Sequence, residues 1–565
     1  MNGPRRREPP TPRSGSHSEP AGVFPADRAS GDTAGNSVVV AVWTTVSRVT
    51  GLARTIAIAA VLGPTYLGNL FQATNLLPNL AYTLLAGTLF STLLVPSLVR
   101  QAAGGDRRQV ERLASGFLGM VTVVFLGVAV VVILLGPVLL RLLASGVEDA
   151  VAAEGQRRLG MPLLVMLMPQ VVLYGVAGTG AAVLNAHRRF ALAAAAPALE
   201  NLGVATTMGA LVVFYGGATS LETVEGPALV LLGLGTTASV GLHAFMLWWG
   251  ARSVGVRMVP RVDWRQPEMR ALVGRMLPSL GSAAIGVVRG FLVLVVANRV
   301  AGGVVAFQLA LGFFYLPTAL GARPVAVALL PRLSHLWQTD RVQAFHDELV
   351  QSVALVIFLV VPAAVAMVVL AEPIAGAVSV GAMAGSAGVT LVAASLAGLG
   401  LGVLGDSGFV VATNAAYARD DAVSPLRSTA LGTAVALPVM ASALFLVDGA
   451  AVLLLLGLSL SIGYLTATWH LATRLQVQLP SGHNHLAEAM IKAIGASVVM
   501  VLPAYAIAAS LPAVIDGDQL GRVLGLVVAA GVGLAVYVGL HRVWHSEELA
   551  LLTRSWSRIR PGNQG

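Results

Sequence analysis

From Asn36 to Val99 the chain carries two long apolar runs, NSVVVAVWTTVSRVTGLARTIAIAAVLG and YLGNLFQATNLLPNLAYTLLAGTLFSTLLVPSLV, joined by Pro64 and Thr65. Each exceeds the ~20 residues that a helix needs to cross a hydrocarbon core of ~30 Å. The first run nevertheless holds Arg48 and Arg54. An arginine near the middle of a membrane helix costs ~2.5 kcal/mol or more on insertion scales, so such residues face a protein-lined or water-filled cavity. The pair therefore points to a bundle with a polar route through it.

Similar apolar runs recur along nearly the whole chain, which is 56% hydrophobic and 11% charged. That balance leaves too little polar surface for a water-soluble protein of this size and predicts an all-α polytopic membrane protein. No stretch remains for a soluble catalytic domain, and no loop offers paired carboxylates on a long outer segment, so the chain does not read as an enzyme. The formal charge of +9 would suggest nucleic acid in a soluble protein. Here the arginines gather in alternate loops, where the positive-inside rule accounts for them, and no nucleic-acid partner is expected. The chain has no cysteine, which excludes disulfides and thiol chemistry. His483 and His485 share a loop and read as solvated, so no metal and no cofactor are expected.

Residues 1–36, rich in Pro, Gly, Ser and Arg, read as a disordered basic cytoplasmic tail. At about 20 residues per span the remainder divides into about fourteen helices, centred near residues 50, 82, 128, 172, 202, 238, 286, 318, 360, 402, 437, 460, 499 and 531. Alternate loops carry Arg107, Arg188, Arg261, Arg341 and Arg427, whereas the opposite ones carry Glu148, Glu222, Glu372, Asp448 and Asp516. This alternation places both termini in the cytoplasm. Two motifs repeat. Val95-Pro96-Ser97-Leu98 matches Leu330-Pro331-Arg332-Leu333, and Asn185-Ala186 followed by Pro197 matches Asn414-Ala415 followed by Pro425. Both pairs are offset by roughly six spans, which predicts two six-helix lobes of the same orientation, related by a parallel repeat. The expected divisions are an N-terminal lobe at 37–250, a C-terminal lobe at 251–475, two further helices at 476–543 and a cytoplasmic tail at 544–565.

Within the spans, Arg48 and Arg54 differ by ~120° around the first helix, so both can line one broad cavity. Arg289 in the seventh span and Arg323 in the eighth are further candidates for that cavity. Glu200 in the fifth and Asp406 in the tenth are candidate charge partners for these arginines, or sites for a coupling proton or sodium ion. Pro78-Asn79 and Pro317 mark candidate kinks, because proline removes a backbone hydrogen bond from its helix.

These residues resemble the MurJ (MviN) family of lipid II flippases, within the multidrug/oligosaccharidyl-lipid/polysaccharide exporter superfamily. The matching segments are Ser47-Arg48-x-x-Gly51-x-x-Arg54, Leu77-Pro78-Asn79-Leu80 and Phe90 through Val95-Pro96, then Leu184-Asn185 with Phe190, Pro197 and Asn201. Leu316-Pro317, Leu330-Pro331-x-Leu333 and Tyr417-Ala418-x-x-Asp421 with Pro425 follow in the same order. The resemblance implies fourteen helices in two lobes around a cationic cavity, with a groove for the lipid tail at the last two helices. It implies transport of an undecaprenyl-pyrophosphate-linked glycan, lipid II above all, across the bacterial cytoplasmic membrane for peptidoglycan synthesis. The partners it implies are that lipid-linked oligosaccharide, membrane lipid and other cell-envelope synthesis proteins. Four positions depart from the family pattern: Asn69 stands where Asp is usual, Tyr82 where a cavity Arg is usual, Thr55 where Asp is common, and Leu311-Gly312 replaces an Asp-Arg pair. An exporter of another lipid-linked polysaccharide or of drugs, or a transport-inactive scaffold, are the alternative readings.

Overall fold

The computed structural model describes residues 26–88, 94–103, 107–217, 220–261, 267–476, 485–515 and 519–559. Among these residues every regular element is helical, as it must be where no water is available to satisfy backbone groups. The first lobe comprises α1 (Ala26–Leu62), α2 (Tyr66–Thr88), the short α3 (Val95–Ala103) and α4 (Arg107–Leu143), followed by α5 (Ala150–Leu167), α6 (Gln170–Ala186), α7 (Phe190–Tyr215), α8 (Gly226–Val230) and α9 (Thr236–Ser253). The second comprises α10 (Pro267–Ala297), α11 (Gly303–Pro317), α12 (Arg323–Gln338), α13 (Val342–Val369), the short α14 (Ala371–Val378), α15 (Ser386–Gly400), α16 (Gly402–Tyr417), α17 (Val423–Phe445) and α18 (Ala450–Gln476). The chain continues with α19 (His485–Val514), α20 (Gln519–Val543) and α21 (Glu547–Ile559). Since α1 begins at Ala26, residues 26–36, read from sequence as part of a disordered tail, extend the first helix instead. Once the apolar part has nucleated a helix, each added residue gains a hydrogen bond for little further ordering.

Among the described residues, eleven spans are long and apolar enough to cross a membrane, or twelve with the bent pair α15–α16, against fourteen expected. Two expected spans fall on helices that fail this measure. In α2, Asn69, Gln72, Thr74, Asn75 and Asn79 dilute the apolar run, and in α10 the stretch Ala283–Ala297, which contains Arg289, counts as a shorter apolar helix.

The two lobes pack alike. α1 lies on α7 as α10 lies on α17; α6 and α7 lie on α9 as α16 and α17 lie on α18. The turns after α6 and α16 also match. Arg188 (φ 58°) and Asp420 (φ 59°) both take left-handed backbone conformations. The amide of the next residue then reaches back to close the helix end, Arg189 N–H to Leu184 O at 2.9 Å and Asp421 N–H to Ala416 O at 3.0 Å. α19 and α20 pack on each other and dock through α13, where the Tyr537 hydroxyl donates to Phe358 O at 2.8 Å.

The two candidate kinks behave differently. α2 continues through Pro78, whereas α11 ends at Pro317 and a π turn, Thr318–Ala322, leads into α12. The tenth span bends by 42° between α15 and α16. There Gly398, Gly402 and Gly405 press onto α18; a Cβ at Gly398 would stand 2.4 Å from Leu454 O, so only glycine allows this approach.

The lobes meet at one end of the bundle. Gly302, in a left-handed turn (φ 75°), lies against Pro64, and its N–H donates to Thr65 O at 3.2 Å. Asn69 Nδ2 donates to Val300 O at 2.8 Å while its Oδ1 accepts from Val304 N–H at 2.9 Å. Gln156 and Asn298, both fully buried, exchange reciprocal amide hydrogen bonds of 2.9 and 2.8 Å, and Asn298 also donates to Leu143 O. Arg299 bridges Glu148 at 2.8 Å and Asp448 at 2.6 Å, and donates to the carbonyl of Leu444. At the opposite end α3 and α12 pack chiefly within their own lobes. The bundle is therefore a V, sealed at the 63–65 and 298–302 turns.

Candidate cationic cavity

The spacing Ser47, Gly51, Arg54 places three residues on one stripe of α1, within about 60° of one another. α7 lies along that stripe. Asn201 Nδ2 donates to Ser47 O and to Thr50 Oγ1, each at 3.2 Å, and a Cβ at Gly51 would meet the Asn201 amide. One turn on, Arg54 Nη1 donates to Glu200 Oε1 at 3.2 Å. The first-helix motif is thus a docking face for α7 that ends in an ion pair. Arg48, ~100° round from Ser47, points off that face. It is ~40° from Leu52, which touches Gly312 of α11, so Arg48 faces the space between the lobes.

Arg48 is exposed, and its charge and that of Arg323, at the start of α12, act on each other across the gap. Arg48 lies within the apolar stretch Val42–Leu62 of α1. Arg323 is the first residue of α12, which runs on to Gln338. Arg289 Nη2 donates to the Tyr464 hydroxyl at 3.2 Å, and its guanidinium stands 4.8 Å from that ring's centroid.

The two carboxylates have unequal surroundings. Glu200 is buried and receives Arg54, the Tyr174 hydroxyl at 3.0 Å and His243 Nδ1 at 2.8 Å. Asp406, just past the bend of the tenth span, lies beside Thr318 within reach of the charges of Arg323 and Arg289, yet its Oδ2 has no hydrogen-bond partner. The structure thus joins Glu200 to an arginine directly and leaves Asp406 between two arginines without a close ion pair. Sequence reasoning missed His243, Tyr174 and Tyr464. A histidine inside the apolar run GLHAF was a readable signal; the tyrosines gave none. Among the described residues no cluster of three metal-ligating side chains occurs, and His483 lies outside them. A cavity of about 630 Å³ lined by Tyr66, Asp149, Glu154, Arg158 and Glu222 sits at the sealed end, away from these arginines.

The four departures each have a structural role here. Asn69 both donates and accepts across the seal, which an ionised Asp could not do. Tyr82 packs between Phe125 and Tyr174 at 5.9 and 5.4 Å, Thr55 Oγ1 donates to Gly51 O, and Gly312 admits Leu52.

Two pseudo-equivalent helical lobes, parted around facing arginines and followed by two further spans, define a membrane transporter of the multidrug/oligosaccharidyl-lipid/polysaccharide exporter type. A solved structure described as "Lipid II flippase MurJ, inward closed conformation" shares the fold at a TM-score of 0.69 and 14% identity, covering 90% of this chain and 99% of that one. An inward-facing multidrug MATE transporter matches at a TM-score of 0.58 and 14% identity, covering 78% of this chain and 98% of that one. The family model described as lipid II flippase MurJ matches residues 58–515, and the chain belongs to that family. A probable lipid II flippase MurJ of Rhizobium tropici is 26% identical over 69% of this chain and 71% of its own length. The lipid II flippase MurJ of Burkholderia cenocepacia is 24% identical over 69% and 74%.

Proposed function

We propose that the protein flips lipid II, the undecaprenyl-pyrophosphate-linked peptidoglycan precursor, from the inner to the outer leaflet of the bacterial cytoplasmic membrane. The observation that carries this reading is the pair of exposed arginines, Arg48 and Arg323, facing each other from the two lobes. A pyrophosphate leaving the headgroup region needs guanidinium partners, because a planar fork of N–H donors matches phosphate oxygens two at a time. Arg54 and Arg289, partly engaged by Glu200 and Tyr464, stand behind them as further ligands. With both termini cytoplasmic, the sealed end is outer and the parted end opens to the cytoplasm, where the precursor is made. Flipping then consists of anion capture between the lobes, closure of the parted end, and opening of the hydrogen-bonded seal. In that state α2 and α10 complete fourteen spans, with the lobes at 37–250 and 251–475 and the lipid tail lying against α19 and α20.

The test is a host in which this gene is the sole source of lipid II flipping. Growth and outer-leaflet lipid II, measured by its accessibility to an added hydrolase, should persist. Lysis with lipid II retained inside, from protein present at normal abundance, would refute the substrate.

A further inference from the structure

Glu200 is the point at which three helices of the first lobe converge on a fourth. Arg54 arrives from α1, Tyr174 from α6 and His243 from α9, all within 3.2 Å of its two oxygens. The pairing is arranged by oxygen. Arg54 and Tyr174 share Oε1, and His243 alone holds Oε2. Arg54 is the mobile member, because its side chain is about a third exposed (32%), whereas those of Glu200 and His243 are 10% and 11% exposed. Its Nε has no partner, so the guanidinium is not held from every side.

We propose that this cluster is a proton-binding site whose occupancy is coupled to binding of the anionic ligand through Arg54. The inference rests on the reading of Arg54 as a cavity ligand. With Arg54 on Glu200 the carboxylate is compensated, and a neutral imidazole donating from Nδ1 completes it. When a phosphate oxygen takes Arg54, its bond to Glu200 breaks. The buried carboxylate is then left with two neutral donors and no compensating charge, a state that burial disfavours. The imidazole answers by taking one proton from water at Nε2, forming an imidazolium–carboxylate pair. One proton is bound as the anion binds and is released when Arg54 returns.

The charged and titratable groups facing the imidazole are those already named. α1 supplies Arg54, α6 Tyr174 and α7 Glu200, while the π turn Leu231–Gly235 that precedes α9 has no titratable residue. The charged residues of α5, Glu154, Arg157 and Arg158, stand in its first half, toward the sealed end. Because linkage is reciprocal, anion binding must tighten as pH falls. The effect approaches about tenfold per pH unit within the range where histidine changes charge, about pH 5–8.

Two measurements on the full-length protein in nanodiscs of zwitterionic lipid test this. The first needs no ligand. Potentiometric titration of Arg54→Gln, in which the arginine is permanently absent from Glu200, should show about one more proton bound near neutral pH than the parent. Adding His243→Asn, or His243→Gln if that variant folds better, should abolish the excess. The second is the affinity for a farnesyl-pyrophosphoryl-N-acetylglucosamine probe, a diester whose phosphates stay ionised across the range. Affinity should rise several-fold to tenfold per unit fall in pH in the parent and become flat in the His243 variants. Identical titration of Arg54→Gln and parent overturns the proton site. Binding that is tight but independent of pH overturns the coupling and leaves the substrate reading intact. An extra proton in Arg54→Gln with no binding of the probe supports the proton site and counts against the substrate.

Discussion

Asn298→Ala is the substitution that most directly tests whether the seal sets the conformation. The residue is fully buried between α5 and the first turn after α10. Its amide makes three hydrogen bonds of 2.8–2.9 Å to Gln156 and Leu143. Truncation leaves the Leu143 carbonyl and one end of the Gln156 amide without partners. At ~1–3 kcal/mol for each buried unsatisfied group, and allowing for partial relaxation and water entry, the sealed state loses ~2–4 kcal/mol. That corresponds to a shift of ~30- to ~1,000-fold toward a parted seal. The chain has no native cysteine, so spin labels at Glu222→Cys and Ala451→Cys, one exposed site on each lobe beside the seal, report their separation by electron–electron double resonance. The variant should show a longer, broader distance population and slower flipping in vesicles. An unchanged distance distribution in folded protein would mean that the amide pair does not hold the lobes, and the alternating mechanism would need another latch.

Arg48→Ala should abolish flipping at near-normal abundance, and Arg48→Lys should rescue only in part, since one ammonium cannot reproduce bidentate phosphate contacts; wild-type vesicle transport by Arg48→Ala would refute the cationic route. An impermeant maleimide should label Glu222→Cys from outside intact cells and fail to label Arg261→Cys, and the reverse pattern at either would overturn the orientation. Asp421→Ala should cost ~0.5–2 kcal/mol in thermal unfolding, because its carboxylate accepts from the Val423 and Ser424 amides at the start of α17. Burial opposes ionisation of Asp421, but these bonds and nearby Arg419 win and hold its carboxyl below the usual range. Its contribution is therefore present at neutral pH and is lost only as pH falls through that depressed value, so parent and variant should converge in acid.

Much of this architecture was legible because the bilayer restricts the choices. Helix positions followed from apolar runs, and the lobe repeat followed from motifs that prove to end matching helices in matching turns, at Arg188 and Asp420. The span count was less secure, since α2 carries polar residues that lower its apolar signal. The 42° bend at Leu401 was not read, although Gly398, Gly402 and Gly405 preceded Asp406 in sequence; helix contact with α18, not local propensity, uses them. Partner choice was the least legible. Nothing along the chain says that Glu200 meets Arg54 across 146 positions while Asp406 stays without a close ion pair, because such pairings depend on helix rotation within the assembled lobe.

The charges of the cavity are better understood together than one by one. Arg48, Arg54, Arg289 and Arg323 stand against Glu200 and Asp406, so the two carboxylates leave an excess of two positive charges. A pyrophosphate diester carries two negative ones. The excess is divided between lobes, with Arg48 exposed on one and Arg323 on the other, and their mutual repulsion favours parted lobes when the cavity is empty. On the function proposed above, a bound pyrophosphate removes that repulsion and bridges the two, so the ligand supplies the attraction that closure of the parted end requires. The substrate's differential affinity for the closed state is what can drive such a transition. A neutral lipid of the same size gains none of it. Discrimination for charged over uncharged lipid should therefore weaken in the Arg323→Gln variant even where lipid still enters the cavity.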